Sequence, residues 1–572
     1  MARVFDAIIR GGTVVDGSGA EPLEQDIAID CGRIVEVGNI EGSACEEIDA
    51  KGMLVTPGFV DIHTHYDGQA TWENRLVPSS AHGVTTAVIG NCGVGFAPCK
   101  PADHELLIRL MEGVEDIPHP VLVEGLSWNW QTFPEYFDVL ATRQYDMDIA
   151  GYIPHAALRV YVMGQRGVDR EPATPADVEQ MAAIVRDGMA AGALGFATSR
   201  TLYHRSSDGK SIPTLDASEE ELMGMALALK ASGKGVIQMV GDFTDGSAFI
   251  AQMRRLVERS GRPLTFSMGA PNRGPFIWPQ LLDLIAQANA DGLPIKAQVM
   301  PRAIGMILGH GLTLNPFYST SSYRALAHLP LAERLAVLRL PDVRARILAE
   351  PCDPNPINVL GRMVRNFTDM FVLGDPPNYE PLPESSIAAQ AGRLGVQPEE
   401  LAYDLLLEGK NGSQLYLASA NFPEGKLDAI GTMLQHPDVV PGLGDGGAHC
   451  GTICDGSYPT FMLTHWGRDR PRGERLTLPT IIKSLTRDTA AAVGLNDRGL
   501  LAPGFKADIN IIDFDQLRLH APEITYDLPG GGRRLVQRAE GYRATLVNGM
   551  TVYRDGKHTG LLPGRLVRGP QN

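Results

Sequence analysis

The sequence predicts a parallel α/β barrel of the (β/α)8, TIM-like type, joined to a small β-sandwich built from both chain ends. Three observations predict it. Short β-branched runs separated by turn residues open the chain, the same texture returns at its far end, and the long span between alternates apolar strand-like runs with amphipathic helical stretches. At 572 residues the chain exceeds one ordinary domain, so one large unit with a smaller partner is the expected division. The boundaries expected are residues 1–57 and 496–572 for the two parts of the sandwich and 58–495 for the barrel.

The N-terminal runs VFDAIIRGGTVVD, DIAIDCGRIVEVG and KGMLVTPGFVDIH are punctuated by Gly, Asp and Asn, as antiparallel strands with tight turns are. ADINIIDFD and RATLVNGMTVYRDGKHTG repeat that texture near the C-terminus, with Asn548-Gly549 as a hairpin signal. In the middle, DVEQMAAIVRDGMAAGALGFATS, KGVIQMV, GRPLTFSMG and LLDLIAQANADGLPIKAQV alternate helical and strand patterns. In a barrel of such units catalytic groups sit just after the strands. The span 302–440 is longer than bare β/α units need and is rich in Pro and aromatic residues, as in NPFYSTSSY and DPPNYEPLPE, so part of it reads as an insertion over the barrel mouth.

The balance of 51 basic against 67 acidic residues, a formal charge of −16, argues against nucleic acid and anionic membranes as partners and leaves a small-molecule substrate. The start MARVFDAIIRGG lacks a secretory profile, and no stretch of about 18 apolar residues follows, so a cytoplasmic location is expected. Seven scattered cysteines, an odd number, read as reduced thiols rather than a disulfide framework. A homo-oligomer is the default expectation for a soluble enzyme of this size.

The sharpest chemical signal is Val60-Asp61-Ile62-His63-Thr64-His65 after an apolar run. Residues two apart in a strand point the same way, so His63 and His65 can offer two imidazoles to one metal. An arbitrary His-x-His is more often a structural pair; the surrounding Gly-Phe-Val-Asp-Ile-His-Thr-His favours ligands here. Cys92 ends the strand-like TTAVIG run, where it could bind zinc, act as a nucleophile or be an inert buried thiol. Asp445, in the Gly-rich GLGDGGAH turn, could take a proton from a metal-activated water and pass it to a leaving nitrogen, although an Asp in such a turn usually caps it. Weaker candidates for substrate contact are Tyr66, His155, Tyr203, Gln238, Arg302 and His449. Arg302, with Arg200 and Arg205, could pair a substrate carboxylate, and a structural role is at least as common for each.

Together GGTVVDGSG, PGFVDIHTHYDGQATW, GVTTAVIGNCGVGFAPC, PHAALRVYVMG, GALGFATS, GDGGAH and DRGLLAPGFKADINIID resemble the N-acyl-D-amino-acid deacylase (D-aminoacylase) branch of the metal-dependent amidohydrolases, over almost the whole chain. The resemblance implies zinc on His63, His65 and Cys92, with Asp445 as catalytic acid and base. It also implies a lid-like insertion beside the mouth. Two further zinc histidines are expected from the middle strands, but Gln238 stands at the first place and Ser267 or Met268 at the second, and Gly269 lies near the place of a substrate-holding lysine. The expectation is therefore one Zn2+, held by His63, His65, Asp445 and Cys92, and hydrolysis of an amide or related C–N bond, with an N-acyl amino acid as one substrate class. The rival readings are a metal-independent hydrolase or lyase on the same barrel, and a non-catalytic ligand-binding member.

Overall fold

The computed structural model describes residues 4–571 apart from 244, 355 and 411. The two chain ends meet in one nine-stranded sheet. Ile509–Ile512 lies at the seam, antiparallel to Leu54–Pro57 on one side and to Tyr542–Val547 on the other. Beyond Leu54–Pro57 the sheet continues into Val4–Val14, Leu23–Asp30 and Arg33–Gly38, with Ser43–Asp49 parallel to the first of these. Inward residues of both ends, among them Ile9, Ile27, Val55, Ile509 and Leu546, share one apolar cluster, which is what alternating β-branched patterning buries.

The central span holds parallel strands in chain order: β1 (Phe59–Asp61), β2 (Val84–Ile89), β3 (Asp148–Gly151, resuming at Ile153–Pro154), β4 (Gly195–Arg200), β5 (Val236–Gly241), β6 (Leu264–Met268), β7 (Ile295–Val299) and β8 (Val439–Pro441). Each pairs with the next, all in parallel register. Beyond β8 a parallel bridge joins Gly446 to Thr64, just past β1. Strands buried on both faces need apolar or small residues at every position, and β2, VTTAVI, is buried throughout.

Helices fill the crossovers. Pro175–Ala191 shows how the sequence sets one: Thr174 caps the Asp177 amide, Asp177 returns a bond to the Thr174 amide, Pro175 begins the helix and Gly192 ends it at φ 107°. Its buried residues Met181, Ala182, Val185, Gly188 and Met189 lie on one face at helical spacing. The span between β7 and β8 has an antiparallel sheet of its own, Ile304–Leu308 and Met370–Val372 flanking Leu415–Ala420, with a separate apolar core that includes Met306, Leu308, Phe317 and Leu417. Among the described residues no helix is long and apolar enough to cross a membrane.

Candidate metal centre and active site

The ends of β1, β2 and β8 converge. His63 and His65 follow β1, their rings 5.6 Å apart and fully buried. Cys92 is carried by a tight turn after β2, itself at φ 55° between Gly90 and Gly93 in the same left-handed region. Both glycines are sterically required: a Cβ at Gly90 would meet the Tyr152 carbonyl at 2.4 Å, and one at Gly93 the Ala197 carbonyl at 2.8 Å. Asp445 lies on the loop after β8, where Leu443, Asp445 and His449 have φ of 60°, 46° and 53°. Non-glycine residues in that region are strained, and such strain gathers at functional sites. The loop is held by backbone bonds from Asp445 N to the His63 carbonyl (3.1 Å) and from His65 N to the Gly446 carbonyl (2.8 Å).

The donor atoms meet closely. His63 Nε2 is 3.3 Å from Cys92 Sγ and 3.5 Å from Asp445 Oδ1, and His65 Nε2 is 3.6 Å from the same oxygen. Ligand atoms of His63, His65 and Cys92 all lie within 4.8 Å of one another. Asp445 Oδ1 is buried and has no hydrogen-bond partner. A buried carboxylate oxygen left unpaired among two imidazoles and a thiol is the arrangement a metal ion would satisfy.

The outer nitrogens of the two imidazoles face Gln298 and Glu115, and only the first is hydrogen-bonded. His63 Nδ1 is 2.7 Å from Gln298 Oε1, on β7, and His65 Nδ1 is 3.5 Å from Glu115 Oε1. Glu115 ends the helix His104–Glu115, is 1% exposed, and turns its other oxygen to His449 Nε2 at 3.7 Å. Neither Glu115 nor Gln298 stood out in the sequence.

Burial and mutual charge set the protonation states. Burial pushes the His63 imidazole down to about 4 despite the Asp445 charge, and pushes the Cys92 thiol up to about 12. For His65 burial acts downward, but Glu115, Asp445 and Cys92 overcome it and hold the imidazole well above its ordinary value. Burial would raise the Asp445 carboxyl, and contact with His65 together with the charges of His63 and His449 instead holds it below the carboxylate range.

These groups open on a cavity of about 420 Å3, the size of a small-molecule site. His449, Tyr203 and His204 line it as well. Tyr66, His155, Arg302 and Gln238 do not line it. Tyr66 is buried against the loop after β8 and donates from its hydroxyl to Ser79 Oγ at 2.8 Å. His155 is locked between Thr198 Oγ1 and Glu221 Oε1, both at 2.8 Å, in a buried network that includes Arg159. Arg302 is 1% exposed and committed to Asp455, the Cys454 carbonyl and Ser457. Gln238, fully buried on β5, accepts from the Cys92 amide at 3.2 Å, and Ser267 on β6 faces the cavity with no hydrogen-bond partner for its hydroxyl.

A model of the amidohydrolase family matches residues 46–553. The chain belongs to the amidohydrolase family. It is a hydrolase acting on carbon–nitrogen bonds. It is 25% identical over 575 residues to the D-aminoacylase of Alcaligenes xylosoxydans xylosoxydans, covering 99% of this chain and 98% of that one. Among solved structures, a D-aminoacylase with a binuclear metal centre superposes with a TM-score of 0.66 at 23% identity, covering 99% of this amidohydrolase and all of the other chain. The N-acyl-D-glutamate deacylase of Bordetella bronchiseptica, solved with zinc and a phosphonate inhibitor, gives 0.63 at 22% identity with the same coverage. These structural neighbours combine a TIM barrel with a β-domain.

Proposed function

We propose that this amidohydrolase cleaves an amide or related C–N bond at a carbonyl carbon, with water activated at one metal ion and Asp445 moving the proton. The observation that carries this is the unpaired, buried Asp445 Oδ1 within 3.6 Å of both imidazoles. His63, His65, Cys92 and Asp445 form a donor set of two nitrogens, one sulfur and one oxygen, which suits zinc. The zinc-bearing N-acyl-D-glutamate deacylase structure supports that choice of metal. Zinc held there supplies a Lewis acid that polarises the scissile carbonyl and makes water a nucleophile at neutral pH.

The protein's own residues do the rest. Asp445, kept anionic by the surrounding imidazoles, accepts a proton from the attacking water and returns it to the leaving nitrogen as the C–N bond breaks. Gln298 fixes the ring of His63 through its outer nitrogen, and Glu115 stands beside that of His65 as a charge partner. Gln238 spends its oxygen on the Cys92 amide, and Ser267 offers only a hydroxyl, so a second ion lacks imidazole donors on β5 and β6. We read the cyclic order of β1 to β8, joined by the Thr64–Gly446 bridge, as a closed barrel over residues 58–495, with the spans 1–57 and 496–572 forming the β-domain.

Metal analysis and kinetics test this. The purified protein should bind about one zinc per chain. Chelation should remove amide hydrolysis, and Asp445→Asn should lower kcat by about 10^2–10^4 with the fold intact. Full activity in the rigorously metal-free protein, or near-normal turnover by Asp445→Asn, would overturn the mechanism.

A further inference from the structure

We infer that this site is built for an electrically neutral amide: a substrate with a sizeable apolar group and no carboxylate beside the scissile bond. The inference rests on the hydrolytic reading above and narrows its substrate class.

The first observation concerns charge. Among the described residues, no Lys or Arg lines the 420 Å3 cavity. Its basic groups are four imidazoles. His63 and His65 point at the shared oxygen of Asp445, His204 is joined to Ser199 Oγ at 2.8 Å, and His449 faces Glu115 and Asp445. The acidic groups are Glu115, Asp242, Asp445 and Asp455. The guanidinium behind this wall is already committed: Arg302 Nε and Nη2 reach Asp455 Oδ1 at 3.1 and 2.5 Å. Arg200 turns away to Gln252 at 2.9 Å, and Arg205 to the carbonyls of Leu202 and Gly209. Away from the metal's donor set, a substrate carboxylate would lose its water beside Asp242 and Asp455 with no lining guanidinium or ammonium to receive it, which is unfavourable.

The second observation is apolar and independent of the first. Phe243, Met268, Ile304, Leu360, Met363 and Ile453 supply much of the wall. Phe243 is fixed there by edge contacts to Phe249 and Phe266 at 5.1 and 5.8 Å. Tyr203, on the loop after β4, lines the same cavity and is 59% exposed. An apolar wall with few polar groups marks a small-molecule site. The acyl or aryl group of the substrate lies against Leu360, Met363 and Phe243, and the amine portion is uncharged or small.

The test compares matched ligands as competitors on the zinc-loaded wild-type protein. N-hexanoyl-phenylalaninamide and N-hexanoyl-phenylalanine, each as both enantiomers, differ only in carboxamide against carboxylate. The better carboxamide should bind at least about tenfold tighter than either carboxylate. Lengthening the acyl chain should improve affinity about threefold to fourfold per methylene until the cavity is full. A carboxylate that binds as tightly as its carboxamide, or failure of every ligand to bind below about 1 mM, overturns the substrate class. Turnover by the wild-type protein is scored separately. Preference for the carboxamide without any hydrolysis would uphold the class and sink the hydrolytic reading. Hydrolysis with the carboxylate preferred would do the reverse.

Discussion

Replacing Glu115 by Gln separates what this residue does for the metal from what it costs the protein. The carboxylate is 1% exposed, with Oε1 3.5 Å from His65 Nδ1 and Oε2 3.7 Å from His449 Nε2, and Oε1 has no hydrogen-bond partner. A full charge pair at 3.5 Å would be worth roughly 5 kcal/mol at an effective dielectric of about 20. An imidazole polarised by a bound cation carries a fraction of that charge, which brings the expected loss to about 1.4–2.7 kcal/mol, or tenfold to hundredfold in metal affinity. In the metal-free protein the sign reverses. A buried, poorly paired charge is destabilising, and the neutral isostere removes it at nearly constant volume, so Glu115→Gln should gain about 1 kcal/mol. Competition with a chromogenic chelator reads the first quantity, and urea unfolding of the chelated protein reads the second. Zinc affinity within about twofold of wild type, or a variant weaker in both measurements, would refute the argument.

Three other substitutions test separate parts of the structure. Glu380 receives bonds from the Leu427 amide, Arg470 and His465, which overcome its burial and hold its carboxyl at about 2, against the ordinary 4.5. A depressed carboxylate contributes stability that is present above pH 4.5 and lost as pH falls from there to about 2, here about 3 kcal/mol, so urea midpoints of wild type should fall through that window while those of Glu380→Gln stay flatter. Gly447→Ala places a methyl at φ 92°, 2.8 Å from Tyr66 Cδ1 and 2.9 Å from the His65 carbonyl carbon; it should cost about 2 kcal/mol or more in unfolding free energy and reduce zinc binding by displacing the Asp445 loop. Gln238→Leu leaves the buried Cys92 amide without its acceptor, a cost of about 1–3 kcal/mol, and should weaken zinc measurably although no ligand has changed; unaltered affinity would show that Gln238 does not hold the cysteine turn.

Much of this was legible because it is local. The pairing of His63 with His65 follows from strand alternation, and the joint sheet of the two ends follows from matched β-branched texture. Glu115 was missed because a glutamate at a helix end ordinarily reads as solvated surface. A signal existed nonetheless: the buried residues of that helix are Leu107, Ile108, Leu110, Met111, Val114 and Glu115, so the glutamate falls on the apolar stripe four residues after Met111. Gln298 carried no comparable mark, since its partners, His63 past the end of β1 and Thr265 on β6, come only from the tertiary fold. Arg302 as a carboxylate receptor was drawn from position along the chain, and His155 as a substrate contact from the motif PHAALRVYVMG. Which side of a strand end or helix a charged group serves depends on tertiary neighbours, here Asp455 for one and Glu221 for the other.

The seam of the parallel array and the geometry of the proposed centre depend on the same hydrogen bonds. Asp445 reaches the histidines through its own amide on the His63 carbonyl and through the Gly446 carbonyl on the His65 amide, and these two bonds flank the Thr64–Gly446 bridge that joins the last strand's loop to the first strand. Asn91 adds a third tie, from its Nδ2 to the carbonyls of Thr64 and Val88, so the cysteine turn is fastened to the same segment. Placing a carboxylate, two imidazoles and a thiol from three distant stretches of sequence within a few ångströms would otherwise require each loop to be ordered separately. Here the backbone that joins the strands orders all of them at once. A change that loosens the seam therefore acts on the donor set even when it touches no donor.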